Sequence, residues 1–254
     1  MITLKSKQEI ETLKKGGKIL AQVLREVKAK AVAGVTTEEL DKMAEELILI
    51  QGGVPSFKGY GDTANPFPAT LCISVNEQLV HGIPNEYILK NGDIVSLDIG
   101  MRYPAKNGLY TDMAITVPVG VINKKTQELL KVTKHALDIW IKEVKPGKTI
   151  NQVAMEVQKY VEGKGFSVIR ALVGHGVGHQ VHEDPQLPNY FTPGNDMPFK
   201  EGMVLAPEPM VAIGGWKVKT ERDGWTISTS DKSLTAHFEH TIAVTKHGCI
   251  VLTE

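Results

Sequence analysis

The sequence predicts an α+β fold of two related halves, each a pair of helices followed by strands of a mixed or antiparallel sheet that the helices cover. Three observations predict it. Two helix-like segments share a capping pattern and an apolar stripe 113 positions apart. Two strand-like segments repeat 110 positions apart, and each of them ends on an acid.

Taken in chain order, Ile10, Leu13, Leu20, Leu24 and Val27 recur at helical spacing from Lys7 to about Val32, and the pattern stops at Gly34. A second helix starts at "TTEELDKMAEELILIQGG". Thr36 and Glu39 have capping-box spacing, Leu40, Ala44, Leu47 and Ile48 form the stripe, and Gly52-Gly53 ends it. "LKNGDIVSLD" (89–98) then reads as a strand. A third helix runs from about Lys124 to Val144, halted by Pro146-Gly147. In the fourth, Thr149 and Gln152 repeat the capping spacing, and Gly163 and Gly165 close it.

The second and fourth helices superimpose residue by residue. Thr36, Leu40, Ala44, Leu47 and Ile48 fall on Thr149, Val153, Val157, Tyr160 and Val161, while Gly34 and Gly52 fall on Gly147 and Gly165. Amphipathic helices resemble one another by default, so the strand repeat carries the weight. "LKNGDIVSLD" matches "FKEGMVLAPE" (199–208), with Lys90 on Lys200, Gly92 on Gly202 and Asp98 on Glu208. The expectation is one domain, 1–254, with halves of approximately 1–118 and 119–254.

Composition narrows the class without naming an activity. Hydrophobic residues make up 42% and charged residues 23%, and Lys+Arg and Asp+Glu are both 29. The balance gives no electrostatic reason to expect nucleic acid or an anionic membrane as partner. Cys72 and Cys249 form no CxxC pair and read as buried, reduced thiols. The first twenty residues lack the apolar core of a signal peptide, and no apolar run is long enough to cross a bilayer, so a cytoplasmic protein is expected.

Asp98, Asp112, Glu208 and Glu239 lie in "IVSLDIGM", "LYTDMAITV", "MVLAPEPMVA" and "AHFEHTIAV", segments that otherwise read as buried strand. One such acid is ordinarily a strand-end residue facing water. Four together need neutralising, and these segments hold almost no basic residues. Two divalent cations would balance them, with one histidine completing an oxygen-rich set suited to Mn, Fe, Co or a catalytic Zn pair. Asp98 and Asp112 are expected at facing positions of a hairpin whose loop includes Pro104 and Asn107-Gly108. The stretch "LVGHGVGHQVHEDP" (172–185) carries three histidines that could bind metal, move protons or sit in a polar loop.

"GHGVGHQVHEDP", "EPM" and "FEHTIAVT", together with "SVNEQLVHGIP" and "NGDIVSLDIG", resemble the type I methionine aminopeptidases, a family with a pseudo-symmetric "pita-bread" fold. The similarity runs from about Lys7 to Leu252. It implies a dinuclear centre between the halves with Asp98, Asp112, His175, Glu208 and Glu239 as metal ligands. It implies that Glu208, His182 and His81 are catalytic, with Glu208 as general base, His182 polarising the scissile carbonyl and His81 near the scissile amide. Phe57, Tyr60, Phe67, Cys72 and Trp225 would line a methionine slot, each equally explicable as core. His179 receives no role and reads as a loop residue. The resemblance further implies two divalent ions, substrates with N-terminal methionine before a small residue, transient ribosome association and a monomer.

The chain departs from the family pattern in two loops. Thirteen residues separate Asp98 from Asp112, enlarging the tip "RYPAKNG", and "GDTANPFP" after Tyr60 is long, which leaves the register of Phe67 open. A register slip of one residue in the hairpin would turn Asp112 away from its partners. A proline-specific peptidase usually has an additional N-terminal domain, a non-catalytic relative tends to lose ligands, and a storage site would not require His81 and His182.

Overall fold

Among the described residues, four helices form where the apolar stripes predict them. In the computed structural model, which describes residues 2–254, α1 is Lys7–Lys30, α2 Thr37–Ile50, α3 Lys124–Glu143 and α4 Ile150–Gly163. α1 stops two residues before the expected Val32. Thr36 and Thr149 cap α2 and α4, and Glu39 and Gln152 return the bond to the cap backbone, which satisfies two otherwise orphaned N–H groups at each end. Ser6 and Glu9 build the same box on α1.

The internal repeat extends to individual hydrogen bonds. Thr36 bridges Ile88, and Thr149 bridges Pro198. Gly34 N–H donates to Leu89 O at 2.9 Å, and Gly147 N–H donates to Phe199 O at 3.1 Å. Gly92 and Gly202 both take positive φ, 100° and 88°, in the turns that launch the repeated strands. Each helix pair packs on its own core. Leu20, Leu24, Leu40 and Ile48 join Leu71 and Leu97 in the first, whereas Leu129, Trp140, Val153 and Val157 join Leu205 and Val211 in the second.

Among the described residues all strand pairs are antiparallel and fall into four small sheets rather than one continuous layer. The principal hairpin pairs Ile94–Tyr103 with Leu109–Pro118 and extends to Glu239–His240. The same segment continues as Ile242–Val244 into the sheet that contains Val204–Ala206 and Gly174–Gly176. One stretch of chain therefore joins the sheets of both halves, and Thr241 lies at the crossing. Its hydroxyl accepts from Asp112 N–H at 2.8 Å and donates to Asp112 O at 2.7 Å.

Candidate metal centre and its cavity

Across the crossing, Asp98 stands opposite Ala114, and Ala114 opposite Glu239. Asp112 pairs with Gly100, so it sits diagonal to Asp98 on the same face, not directly facing it as expected. The enlarged tip is confined to residues 104–108, and Ala105 N–H docks it on Gly52 O, leaving the register of the ladder intact. Glu208 also differs from expectation: it lies between Val204–Ala206 and Met210–Ala212, outside either strand. His175 is in Gly174–Gly176 beside Ala206.

The five residues converge. His175 Nε2 lies 3.7 Å from Glu208 Oε1 and 3.9 Å from Glu239 Oε1. His175 Nδ1 is 2.8 Å from the Gly176 carbonyl, which can only accept, so Nδ1 carries the proton and Nε2 turns its lone pair to the carboxylates. Ligand atoms of Asp112, His175 and Glu239 lie within 4.8 Å of one another, as do those of Glu208, His237 and Glu239.

Asp98 Oδ1, Asp112 Oδ1 and Glu239 Oε1 are buried without a hydrogen-bond partner. Among the described residues no lysine or arginine forms an ion pair with any of the four acids; the bases beside them are His175 and His237. Burial, reinforced by neighbouring carboxylates, pushes Asp112 and Glu239 well above the usual carboxyl range. Burial likewise raises Asp98 to about 7, although His237 pulls it back. Orphaned oxygens without cationic side chains are what a divalent ion satisfies, and oxygen-rich sets with one imidazole suit such ions.

His237 escapes a search for acids alone. It is buried, its Nε2 lies 3.2 Å from Glu208 Oε2, and its Nδ1 has no partner. Burial disfavours its charge, yet Glu208 and Asp98 more than compensate and raise its pKa. The sequence signal is its place two residues before Glu239 in "AHFEHT", the spacing that puts two strand side chains on one face.

A profile of metallopeptidase family M24 matches residues 11–246. The chain belongs to metallopeptidase family M24. Within it, a methionine aminopeptidase of Clostridium perfringens is 46% identical, over 100% of this chain and 99% of its own length. The crystal structure of the methionine aminopeptidase of Thermotoga maritima superimposes with a TM-score of 0.95 at 45% identity and full coverage of both chains. The prolidase of Pyrococcus furiosus, 23% identical with a TM-score of 0.79, covers 99% of this chain with 65% of its own and shares the fold.

In this M24 metallopeptidase the carboxylates form the floor of a cavity of about 690 Å³. His81 and His182 line it, as do Phe57, Phe67, Cys72 and Trp225. The long loop after Tyr60 folds back on itself, Gly59 N–H to Phe67 O and Phe67 N–H to Tyr60 O, both at 2.8 Å. That brings the Phe67 ring edge-on to Trp225, with centroids 5.3 Å apart, while Trp225 Nε1 donates to Asn65 O at 3.0 Å. Phe57, Phe67 and Cys72 also pack together as a small buried cluster, so pocket wall and core coincide. Of the two free thiols, Cys72 is buried and Cys249 only half-buried.

His81 takes positive φ (57°) ahead of Gly82, where a Cβ would stand 2.2 Å from the Ile73 carbonyl oxygen. Burial lowers the pKa of His81. Burial, then the neighbouring His175 imidazole, lowers His182 to about 4. Tyr60 is 40% exposed, yet its hydroxyl reaches His182 Nδ1 at 2.6 Å. His179 also lines the cavity, and its Nε2 lies 2.6 Å from Glu9 Oε1, a contact that, with Ser6, pulls Glu9 down to about 2.

Proposed function

We propose that the chain removes N-terminal methionine from peptides and newly made proteins whose second residue is small. The observation that carries this reading is the meeting of Asp98, Asp112, His175, Glu208 and Glu239 on the floor of a cavity walled by His81, His182 and an aromatic slot. Those five residues would hold two divalent ions, of cobalt, manganese, iron or zinc. When bound, the ions lower the pKa of a water so that it becomes a nucleophile near neutral pH.

Glu208, the centre's acid with a side chain still 12% exposed, takes the proton from the attacking water and delivers it to the leaving amine. His182 stays neutral at working pH, and in the tautomer whose Nδ1 accepts from Tyr60 its Nε2–H donates to the developing oxyanion. His81 positions the scissile amide. Phe57, Tyr60, Phe67, Cys72 and Trp225 enclose the methionine side chain, an unbranched shape that an apolar slot with aromatic walls accepts.

The chain works as a single catalytic domain with halves of approximately 1–118 and 119–254, as a cytoplasmic monomer that associates transiently with ribosomes and binds no nucleic acid directly. Among the described residues no helix is long and apolar enough to cross a membrane.

A peptide panel varying residues one and two tests the reading. Protein stripped by a chelator and resupplied with Mn or Co is expected to cleave Met-Ala and Met-Gly peptides and to leave Xaa-Pro peptides intact. Cleavage of Xaa-Pro instead would favour the proline-specific relatives that share the fold, and no cleavage with any divalent ion would overturn the enzyme reading.

A further inference from the structure

We infer that Lys5 is a positioning residue for His182, acting through Glu183: the first residues of the chain strap down loop 177–183 and so hold the His182 ring in the cavity. The inference rests on the role proposed for His182 above.

Glu183 follows His182 directly, and no step of the reaction uses it. Its carboxylate gathers donors from two parts of the chain. Oε1 accepts from the His179 N–H at 2.5 Å and the Gln180 N–H at 3.0 Å, within the loop. Oε2 accepts from the Thr3 hydroxyl at 2.8 Å and forms an ion pair with the Lys5 ammonium. That ammonium also donates to Thr3 Oγ1 at 2.7 Å. Burial pushes the Glu183 carboxyl up, but the hydrogen bonds from Lys5, the Gln180 N–H and Thr3 outweigh it and hold the carboxyl below its usual range.

The pair is buried, with side chains 1% and 9% exposed. A buried ammonium and carboxylate that share further hydrogen bonds are held to one geometry, because separating them leaves each charge unsolvated. The lysine stem passes against Gly178, whose φ is +141° and where a Cβ would stand 2.5 Å from Lys5 Cε. The strap is fixed at its other side by Lys5 N–H to Gly202 O at 2.7 Å. A second tie runs from Glu9, which caps α1 through Oε2 and grips His179 through Oε1. Residues far from His182 in sequence thus set the path of the loop that carries it, and Tyr60 holds the ring from the other side.

The test is Lys5→Met in the metal-loaded enzyme, which keeps the stem and removes the charge. Turnover of a Met-Ala peptide is expected to fall about tenfold, since displacing a catalytic group by a fraction of an ångström is enough to do so. Divalent-ion affinity by calorimetry is expected to stay at the wild-type value. The amides of His179 and Gln180 are expected to exchange hydrogen about tenfold faster. In a His182→Ala background the same change is expected to lower turnover less than about twofold, because the two effects act on one ring. Thr3→Val, run in parallel, leaves the ion pair in place and is expected to repeat the pattern at roughly threefold. Equal losses with and without His182, or unchanged amide exchange beside normal wild-type turnover, would overturn the strap alone. Failure of the wild-type holoenzyme to cleave methionyl peptides would overturn the functional reading and the strap with it.

Discussion

In the first half of the molecule Asp98 and Asp112 sit inside an uninterrupted hairpin, Ile94–Tyr103 against Leu109–Pro118, with paired residues on both sides. In the second half Glu208, the counterpart of Asp98, sits in a gap between Val204–Ala206 and Met210–Ala212. The cause is local. Pro207 and Pro209 flank Glu208 and offer no N–H to a ladder, so pairing lapses there. The Glu208 carbonyl is taken instead by Asn189 Nδ2 at 3.0 Å, and Asn189 Oδ1 accepts from Trp140 Nε1 at 2.7 Å, which ties the gap to the core of α3. A regular hairpin makes a rigid wall of carboxylates. A broken strand lets one longer side chain reach into the cavity while its backbone stays anchored. The same skeleton thus gives a paired wall of carboxylates in one half and a single reaching side chain in the other.

Removing the metal breaks the joint that both halves share, and its effect is expected to be the largest. Chelated protein is expected to lose all activity. It is also expected to change how stability depends on pH. Burial raises Asp98, Asp112 and Glu239 above their ordinary range, so without metal the folded chain holds protons that the unfolded chain has released between about pH 4 and pH 7. Stability therefore falls as pH rises through that window, and an added divalent ion, which displaces those protons, is expected to raise Tm more at about pH 7.5 than at about pH 5. Equal gains at both values would show that these acids are not the group being satisfied.

The contrast between wall and reaching group is sharpened by two substitutions. Glu208→Gln is expected to lower turnover about a thousandfold with Tm nearly unchanged, because it removes a proton acceptor but keeps the shape. Asp98→Glu moves the carboxylate out of the position the ladder sets, and about a hundredfold loss of turnover is expected, together with weaker metal binding by calorimetry. If Asp98→Glu left metal affinity intact, the rigid-wall account of the first half would fail.

Smaller still is the expected effect of Trp225→Ala, which weakens the contact between the second-half turn at 221–226 and the first-half loop at 61–68 and leaves the Asn65 Nδ2 bond to Asp223 O. It removes the edge contact to Phe67 and the hydrogen bond to Asn65. The catalytic efficiency for methionyl peptides, kcat/KM, is expected to drop about tenfold, mostly through KM, and metal affinity to stay constant.

Helices and their caps were legible in the sequence because they are set within one turn of chain: Thr36 with Glu39, and Thr149 with Gln152, need no distant partner. The repeat was legible for the same reason, and so was the anomaly of four acids in apolar segments. Three things were not. Asp98 and Asp112 turned out diagonal, since register is set by which residues of the two strands meet and by a tip that docks on Gly52. His237 and Thr241 entered the centre, and His179 found Glu9, through contacts spanning much of the chain.

By itself the sequence determined which segments become helices and what caps α2 and α4, that two halves repeat, and which acids had to be neutralised, because hydrophobic period, capping and desolvation act on residue type and local spacing. Only the tertiary structure decided that Glu208 reaches while Asp98 stays in the wall, that His237 stands beside Glu208, and that Lys5 lies under the His182 loop. Those outcomes depend on backbone brought together from remote segments, and no local pattern encodes the distance at which two such segments finally pack.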